Sequence, residues 1–578
     1  LSGGYDEGMP PPHEDELVAR LLPGNALTRG SASWRWRLLC LVAILSLAAF
    51  LRLWQVGESL WIDELHTSWV VSGKLSDVLP RAAMGNQSPL YFWGMWLLVQ
   101  LTWQTEWTLR MPSLVAGIAL PAAVYWLAFK WRCCRQKNPL PSGEGGWRSQ
   151  PGEGLAALAA ALLVAIDPTC IFYAQEARPY AWVMLLAVVE LMLLRRLIEQ
   201  PTIGRRVALL ANSLVLFYLH YTTAIFLAGI VALLPMLVRV TRSPYPTKSL
   251  AIDLLLAAAL AAPGVVQLSE IFERRANWEA FVKEASWQAL FTGVPFVLWA
   301  MLGAIVVALA LLVPRLQPGN ALTRGSASSA PSKSPPAPSV HWYSVLLAAI
   351  LLPLILSWSV TALDAARIYH VRYLVALVPL AAAATCLASG RIPWRIVQTT
   401  ALIALAAWHL YDGRMLDQFA RDGRFLAARN EDWRGAIEFL NRQSRVAQID
   451  LVVHHPGLIE SLIDPMPPTE EARQYHQFAL RGMYHLACPD ESIVLLGNHW
   501  LPNPLFEDPR LRSTSPLLIW IVVRGSPQLR DEIANGYQFA AENLVSNEVE
   551  PHLAVTITNR WSFGQVNIAC VERHRNVP

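Results

Sequence analysis

Charged side chains are scarce in this chain of 578 residues: Asp, Glu, Lys and Arg together make up 16%, against about 25% in average soluble domains. That shortage excludes a disordered tail protein and argues against an ordinary soluble enzyme of several domains. Cysteine is scarce too, and seven in such a length make no disulfide framework. Neither sign of charge dominates. A net charge of +4 gives no basis for nucleic-acid binding, so basic residues matter only through where they fall. A GxxxxGK[ST] nucleotide loop is absent as well. What the chain does have is apolar bulk: 54% hydrophobic residues, a mean hydropathy of +0.33 and 24 tryptophans. Tryptophan rings favour membrane–water boundaries. The composition is that of a multi-spanning α-helical membrane protein.

A crossing helix needs about 20 mostly apolar residues. Windows of this kind run 38–54, 110–129, 154–173, 180–194, 206–219, 222–238, 249–268, 290–313, 342–360, 372–389 and 396–411. A further apolar stretch, PLYFWGMWLLVQLTW at 89–103, is ambiguous. Basic residues resolve it, because loops kept in the cytoplasm are enriched in Lys and Arg. If 89–103 does not cross, the inside loops hold Lys130, Arg132, Arg135, Lys137, Arg148, Arg195, Arg196, Arg205, Arg206, Arg239, Arg242, Lys248, Arg315, Arg324, Lys333, Arg391 and Arg395, and the amino-terminal Arg29, Arg35 and Arg37 join them. If it crosses, every later basic loop faces outward. The stretch is therefore expected to lie along the outer surface, with eleven spans, a cytoplasmic amino terminus and an outer carboxyl terminus.

The chain begins with Leu1, and no cleavable signal peptide is expected ahead of the first apolar run. The segment PGNALTRGSAS occurs twice, at 23–33 and 318–328, and a Gly/Pro/Ser-rich insert fills 138–154. All three read as neutral linkers in cytoplasmic loops, which tolerate insertion. The expected domains are a low-complexity arm (1–37), a membrane domain (38–411) with an outer catalytic loop (55–109), and an outer domain (412–578). The last mixes strand-like runs (IDLVVHH, SIVLLG, PLLIWIVVRG) with helical patterns (WRGAIEFLNRQ, RDEIANGYQFAAENL), as in a small soluble α/β domain. Cys488 and Cys570 lie there, either paired in an oxidising compartment or as two buried thiols.

Polar residues collect on the outer face. VGESLWIDELHTSW at 56–69 carries the adjacent carboxylates Asp63 and Glu64 between apolar neighbours. They read as a general base, metal ligands or solvated loop residues; apolar flanks raise a carboxylate's pKa and suit it to act as a base. FYAQEARPYAW places Glu176, Arg178 and Tyr180 at the outer ends of the third and fourth spans. LHYTT sets His220 and Tyr221 at the next outer turn, and HVRYLVALVP puts Arg372 and Tyr373 at the start of the tenth span. Arginines here either hold a phosphate, for which guanidinium offers a planar fork of donors, or snorkel to lipid headgroups. Asp167 and Asp253 sit near span ends as interfacial residues, and His341, His370 and His409 show no metal-ligand spacing. His454 and His455 read as a strand end. Glu270, Glu273, Arg274, Arg275, Asn277 and Trp278 form an outer loop after the seventh span.

The order LWIDE, SPLYF, LRMPSLVAG, YAQEARPYAW, RYLVALVP resembles the membrane glycosyltransferases of the GT-C fold, in the group of the protein O-mannosyltransferases and lipid A aminoarabinose transferases (glycosyltransferase family 39). The likeness runs from about 38 to 411, and EDWRGAIEFL at 431–440 resembles the start of the group's bacterial carboxyl-terminal region. It implies a GT-C-like membrane domain, with the Pro-Leu-Tyr stretch as a helix lying along the membrane. It implies a polyprenyl-phosphate sugar as donor and transfer on the outer face of the cytoplasmic membrane to a hydroxyl of a protein, glycolipid or envelope glycan. By the same likeness Asp63, beside Glu64, is the catalytic base or orients the acceptor. Arg178 with Tyr180 and Arg372 with Tyr373 bind the donor phosphate. Glu176, His220, Tyr91 and Gln87 are weaker candidates for substrate contacts. Gln87-Ser88 stands where relatives commonly have His-Pro, so the acceptor does not carry over. Arg110 matches the pattern and is expected to anchor the outer end of the second span. No cofactor is required; a divalent metal on Asp63, Glu64 and Glu176 is compatible with the chemistry but not demanded by their spacing.

Transfer from such a donor needs deprotonation of an acceptor hydroxyl and stabilisation of the departing phosphate. A flippase for the same lipid, or an inactive envelope assembly factor, competes with this reading. Transporters tend to centre their polar groups near the midplane of inverted repeats, whereas here those groups favour one leaflet. The outer domain is expected to select the acceptor, so that its deletion spares donor binding.

Overall fold

The computed structural model describes residues 24–132, 153–241, 243–273, 285–316, 342–390, 392, 394–427, 429–445, 449–458, 470–496, 517–547 and 553–575. The second copy of the repeat, His341, most of the 138–154 insert and 274–278 lie outside them.

Each of the eleven apolar windows coincides with helix. They are α1 (Gly24–Leu53), α5 (Glu106–Arg132), the pair α6 (Glu153–Ile166) and α7 (Pro168–Ala174), α8 (Tyr180–Glu199), α9 (Ile203–Leu219), α10 (Thr223–Thr241), α11 (Thr247–Glu273), α13 (Val297–Leu316), α14 (Trp342–Ala362), α15 (Leu377–Ser389) and α16 (Arg395–Asp412). Five helical stretches are long and apolar enough to cross a bilayer: Arg35–Leu53, Glu106–Trp131, Thr223–Thr241, Thr247–Glu273 and Trp342–Ala362. The α6–α7 pair, bent by 59°, makes up to six among the described residues.

The loop between α1 and α5 holds three short helices, α2 (Ile62–Val71), α3 (Leu75–Met84) and α4 (Leu90–Leu101). Helix α4 is the ambiguous apolar stretch. Its 12 residues extend about 18 Å, short of the ~30 Å hydrocarbon core. Helix α12 (Trp287–Thr292) precedes α13, and α17 (Met415–Asp422) follows α16.

Helix α15 is the middle of the bundle. Every residue from Leu377 to Ala388 is buried, against α13, α14, α6 and α5. A helix apolar on all sides belongs in such a position. By contrast α11 buries only 11% of its apolar window, as a lipid-facing helix does.

The loops segregate to two ends. At one, Arg195 donates to the Lys130 carbonyl (2.7 Å), Ser243 to that of Ile198 (2.6 Å), and Arg206 pairs with Asp253 (2.7 Å). All but Asp253, at the adjoining end of α11, belong to loops assigned to the cytoplasm by charge. At the other, Ser88 bonds the Tyr218 carbonyl, Ala177 bonds Glu64, and Asp63 meets Arg178 and Arg372. The carboxyl-terminal domain sits at this second end.

That domain runs through α18 (Trp433–Ser444), β1 (Leu451–His455), α19 (Glu470–Arg481), β2 (Ile493–Leu495), β3 (Leu517–Arg524), α20 (Pro527–Asn547), β4 (Leu553–Phe563) and β5 (Val566–Arg575). The sheet order is β2-β1-β3-β5-β4, with β1 parallel to β2 and β3 and with β5 antiparallel to β3 and β4. Strand side chains alternate faces. Accordingly Ile519, Ile521 and Val523 pack with Ile533 and Tyr537 of α20, while Trp520 and Val522 join the main core through Phe439 and Trp433. His454 and His455 end β1, as their sequence context implied. Cys488 and Cys570 are both free thiols.

Two assignments change. Asp167 is buried, not interfacial. It caps α7 by accepting from the Cys170 amide (2.7 Å) and bonds His409 Nε2 (3.0 Å), tying α16 to the bend. Arg110 does more than anchor a helix end, because it is fully buried against Glu64.

Candidate active site

Helix α2 begins after Trp61, and its first turn carries Asp63 and Glu64, where the helix dipole favours negative charge. Nine of its ten residues are buried, and Asp63 is the exception. Its side chain is 24% exposed and lies 3.4 Å from Arg178 Nη2 and 3.3 Å from Arg372 Nη1. Burial alone pushes the Asp63 carboxyl upward, but Arg178 and Arg372 outweigh it and hold the group below the usual carboxylate range.

Glu64 points the other way. It is fully buried and accepts from Arg110 Nε (2.8 Å) and Nη2 (2.5 Å), from Arg429 Nη1 and from the Ala177 amide (2.9 Å). Arg110 also donates to the carbonyls of Val56 (2.6 Å), Glu58 (2.7 Å) and Ser59 (3.2 Å). Against the opposing push of burial, the two guanidiniums bring the Glu64 carboxyl down to about 2. Two adjacent carboxylates thus have different surroundings: Glu64 is a fully buried strut, and Asp63 is partly exposed with its Oδ2 buried between Arg178 and Arg372.

The loop between α7 and α8 forms the opposite wall. Gln175 Nε2 donates to the carbonyls of Leu51 and Arg52 (both 3.1 Å), and Thr67 Oγ1 donates to Ala177 O (2.9 Å), which ties the loop to α1 and α2. Arg178 hangs from it with Nε and Nη1 lacking a hydrogen-bond partner. Glu176 is fully buried, and neither carboxylate oxygen has a hydrogen-bond partner. Desolvation drives its carboxyl up to about 7, although Arg429 and Arg372 act to lower it. Unpartnered buried polar atoms are rare in folded proteins and call for a reason.

Aromatic rings enclose the arginines. Arg372 lies over Trp61 (5.7 Å) and Tyr180 (5.9 Å), and the His220 ring is tilted against Tyr180 (5.2 Å) and Tyr373 (6.3 Å). His220 Nδ1 bonds Thr222 Oγ1 (2.7 Å), and burial beside Arg178 and Arg372 lowers the ring to about 3, keeping it neutral.

Of the sequence candidates, Asp63, Glu176, Arg178, Tyr180, His220, Arg372 and Tyr373 therefore converge. Tyr91 stands one layer behind, its hydroxyl 3.2 Å from Ser113, which donates to the Arg178 carbonyl (2.7 Å). Gln87 is apart: its carbonyl accepts from Gln267 on α11 (3.3 Å). The residues do not fit a metal. Asp63 and Glu64 each face two guanidiniums, and among the described residues no group of three or more His, Cys, Asp or Glu side chains is arranged around a common point. Sequence reasoning missed Arg429, whose Nη2 donates to Gln175 O (2.5 Å) while Nη1 reaches Glu64. It lies just ahead of EDWRGAIEFL, and nothing local marks it.

The chain is thus a helical, membrane-crossing protein whose loops bring Arg178 and Arg372 together with the carboxylates Asp63 and Glu176, next to a small mixed-sheet domain. No sequence profile of a known family matches it, and no curated protein matches it. Its structure is similar to that of ArnT from Cupriavidus metallidurans in the apo state, at 12% identity and a TM-score of 0.46, over 93% of this chain and 98% of that one. ArnT from the same organism bound to undecaprenyl phosphate gives 11% identity and a TM-score of 0.46 over 92% and 97%.

Proposed function

We propose that the protein is an inverting glycosyltransferase, hexosyl or pentosyl, that moves a sugar from a polyprenyl-phosphate donor to an acceptor hydroxyl of a protein, glycolipid or envelope glycan. The observation that carries this is Asp63, the one residue of α2 that is not buried, held between Arg178 and Arg372 beside a buried Glu176 with no hydrogen-bond partner. The reading includes eleven crossings of the cytoplasmic membrane, a cytoplasmic amino terminus, and outer placement of both the site and the domain at 412–578.

In the free protein the two arginines neutralise Asp63. A donor phosphate takes up the same guanidiniums through their forked donors. Its negative charge then raises the proton affinity of Asp63, so binding of the donor prepares the base. The acceptor oxygen attacks the anomeric carbon from the face opposite the phosphate, and its proton passes to Asp63. The bond from anomeric carbon to phosphate oxygen breaks, and its electron pair leaves with the phosphate, whose charge Arg178 and Arg372 stabilise. Glu176 is assigned to a substrate hydroxyl, for which its two free oxygens are available. Glu64 holds α2 in place and takes no part in proton transfer.

The test is reconstitution in liposomes with polyprenyl-phosphate sugar labelled in the sugar, following lipid-phosphate release and acceptor labelling. Asp63→Asn is expected to lower transfer by about 10²–10⁴-fold while donor binding persists. Equal transfer by wild type and variant overturns the assignment. Movement of intact donor across the bilayer without bond cleavage identifies a transporter instead.

A further inference from the structure

The catalytic helix is gripped from far along the chain. Glu431 is 6% exposed, and its Oε2 accepts from the Ile62 amide (2.9 Å), the residue just before Asp63, and from Trp433 Nε1 (2.9 Å). Its Oε1 accepts from Arg524 Nε (2.9 Å) at the end of β3. Arg524 is fixed in turn by the Gly457 carbonyl (2.7 Å). The backbone on either side is clamped by the β4–β5 turn. Asp432 N donates to Phe563 O (3.1 Å), Gln565 N to Asn430 O, and Glu431 bridges Gly564. Gly564 has φ +64, and a Cβ there would stand 2.1 Å from the Asn430 carbonyl, so the approach needs glycine.

The grip continues along α2. Tyr484 Oη accepts from the Leu60 amide (2.9 Å) and donates to Glu106 (2.9 Å). Tyr475 and Phe478 of α19 pack on His66 and Trp69, with ring centroids 5.7–6.1 Å apart. An amide at a helix start has no partner within its own helix. Here that partner is a carboxylate supplied by the outer domain.

We infer that Glu431, anchored by Arg524 and the β4–β5 turn, is a positioning residue for Asp63, so that the carboxyl-terminal domain is part of the catalytic unit and not a detachable acceptor-selecting module. The inference rests on the proposed role of Asp63. Glutamate suits this role because one oxygen takes the helix amide and the other the guanidinium, so the two ends of the brace move together. Deleting the domain removes Arg429 and Glu431 together and exposes Glu64 and the first turn of α2, so deletion is expected to cost more than acceptor choice.

The full chain is tested in detergent as Glu431→Ala, Glu431→Gln and Arg524→Leu. Amide exchange at Glu64 and Leu65, both bonded to the Trp61 carbonyl, reports the position of α2 without any substrate. Transfer from a labelled polyprenyl-phosphate sugar gives kcat and donor KM. Glu431→Ala is expected to speed exchange at these two amides by about tenfold or more. It should lower kcat by about 10²-fold, the scale of a 1 Å misplacement, with donor KM nearly unchanged. Glu431→Gln keeps an oxygen for the Ile62 amide but turns its NH2 towards the Arg524 guanidinium, so it should restore part of both. Arg524→Leu, read in place of Glu431→Ala if the latter does not fold, should move both in the same direction by less. Wild-type exchange and kcat in Glu431→Ala or in Arg524→Leu, or a loss in Glu431→Gln as large as in Glu431→Ala, overturns the inference. If the wild type transfers no sugar, the functional reading fails, and the exchange measurement still decides the brace.

Discussion

Glu176→Gln is the substitution whose effect the structure quantifies best. Glu176 is fully buried, neither oxygen has a hydrogen-bond partner, and its carboxyl is pushed up to about 7. Moving a carboxyl from its ordinary 4.5 to about 7 corresponds to about 3 kcal/mol between its two protonation states. The sign follows from proton counting. Between about pH 4.5 and 7 the unfolded chain has released this proton and the folded chain still holds it. Stability therefore falls as pH rises through that window and levels off above it. Glutamine has the same shape and does not titrate. Relative to Glu176→Gln, wild type should lose about 3 kcal/mol between about pH 4.5 and pH 7.5. Unfolding in detergent across that range gives the difference curve, and infrared spectroscopy checks it directly through a protonated-carboxyl band absent from Glu176→Gln. Parallel stability curves with no such band at about pH 6 would refute the reasoning, because Glu176 would then be ionised and partnered.

The remaining predictions concern the charges around it. Glu64→Gln leaves the buried Arg110 and Arg429 without a carboxylate. Breaking a buried pair this way costs about 3–5 kcal/mol, so thermal unfolding should begin at markedly lower temperature, and an unchanged Tm would remove Glu64's role as a strut. Arg178→Lys keeps the charge but loses the fork of donors. It should lower kcat/KM on the order of 10²-fold, mainly through weaker donor binding in a direct titration with polyprenyl phosphate; equal binding would take the phosphate away from Arg178.

Much of this architecture was legible in the chain itself. The apolar windows are legible as helix because apolar composition is a local property, while only five helical stretches, or six with the bent α6–α7 pair, have the length and composition to cross a bilayer among the described residues. Basic residues separated the two ends of the bundle before any coordinates, since loop charge tracks orientation. The polar residues that converge beside α2 were legible for a related reason: Asp63, Glu176, Arg178, Arg372 and Tyr373 are costly groups in apolar surroundings and need partners. What stayed hidden depends on distant pairings. Asp63 and Glu64 have nearly the same neighbours in sequence, and only Arg110 and Arg429 make one a strut and leave the other partly exposed. Glu431 reads as an ordinary residue ahead of an amphipathic helix, because its partners Ile62 and Arg524 carry no local pattern pointing to it. The β4–β5 hairpin was missed because polar residues and a bulge between Ile557 and Asn559 interrupt the alternation that marks strands.

The Glu431–Ile62 bond joins residues 369 positions apart, and this sets a timetable for biosynthesis. A ribosome adding about 5–20 residues per second releases the LWIDE segment roughly 20 to 70 s before it releases the residue that caps it. Throughout that interval the loop that carries α2 has Glu64 lacking Arg429 and α2 lacking its cap. On the proposed reading the nascent protein is inert until its last domain has followed, and a chain truncated anywhere before residue 431 keeps the LWIDE motif without Arg429's partner bond or the Glu431 cap completed.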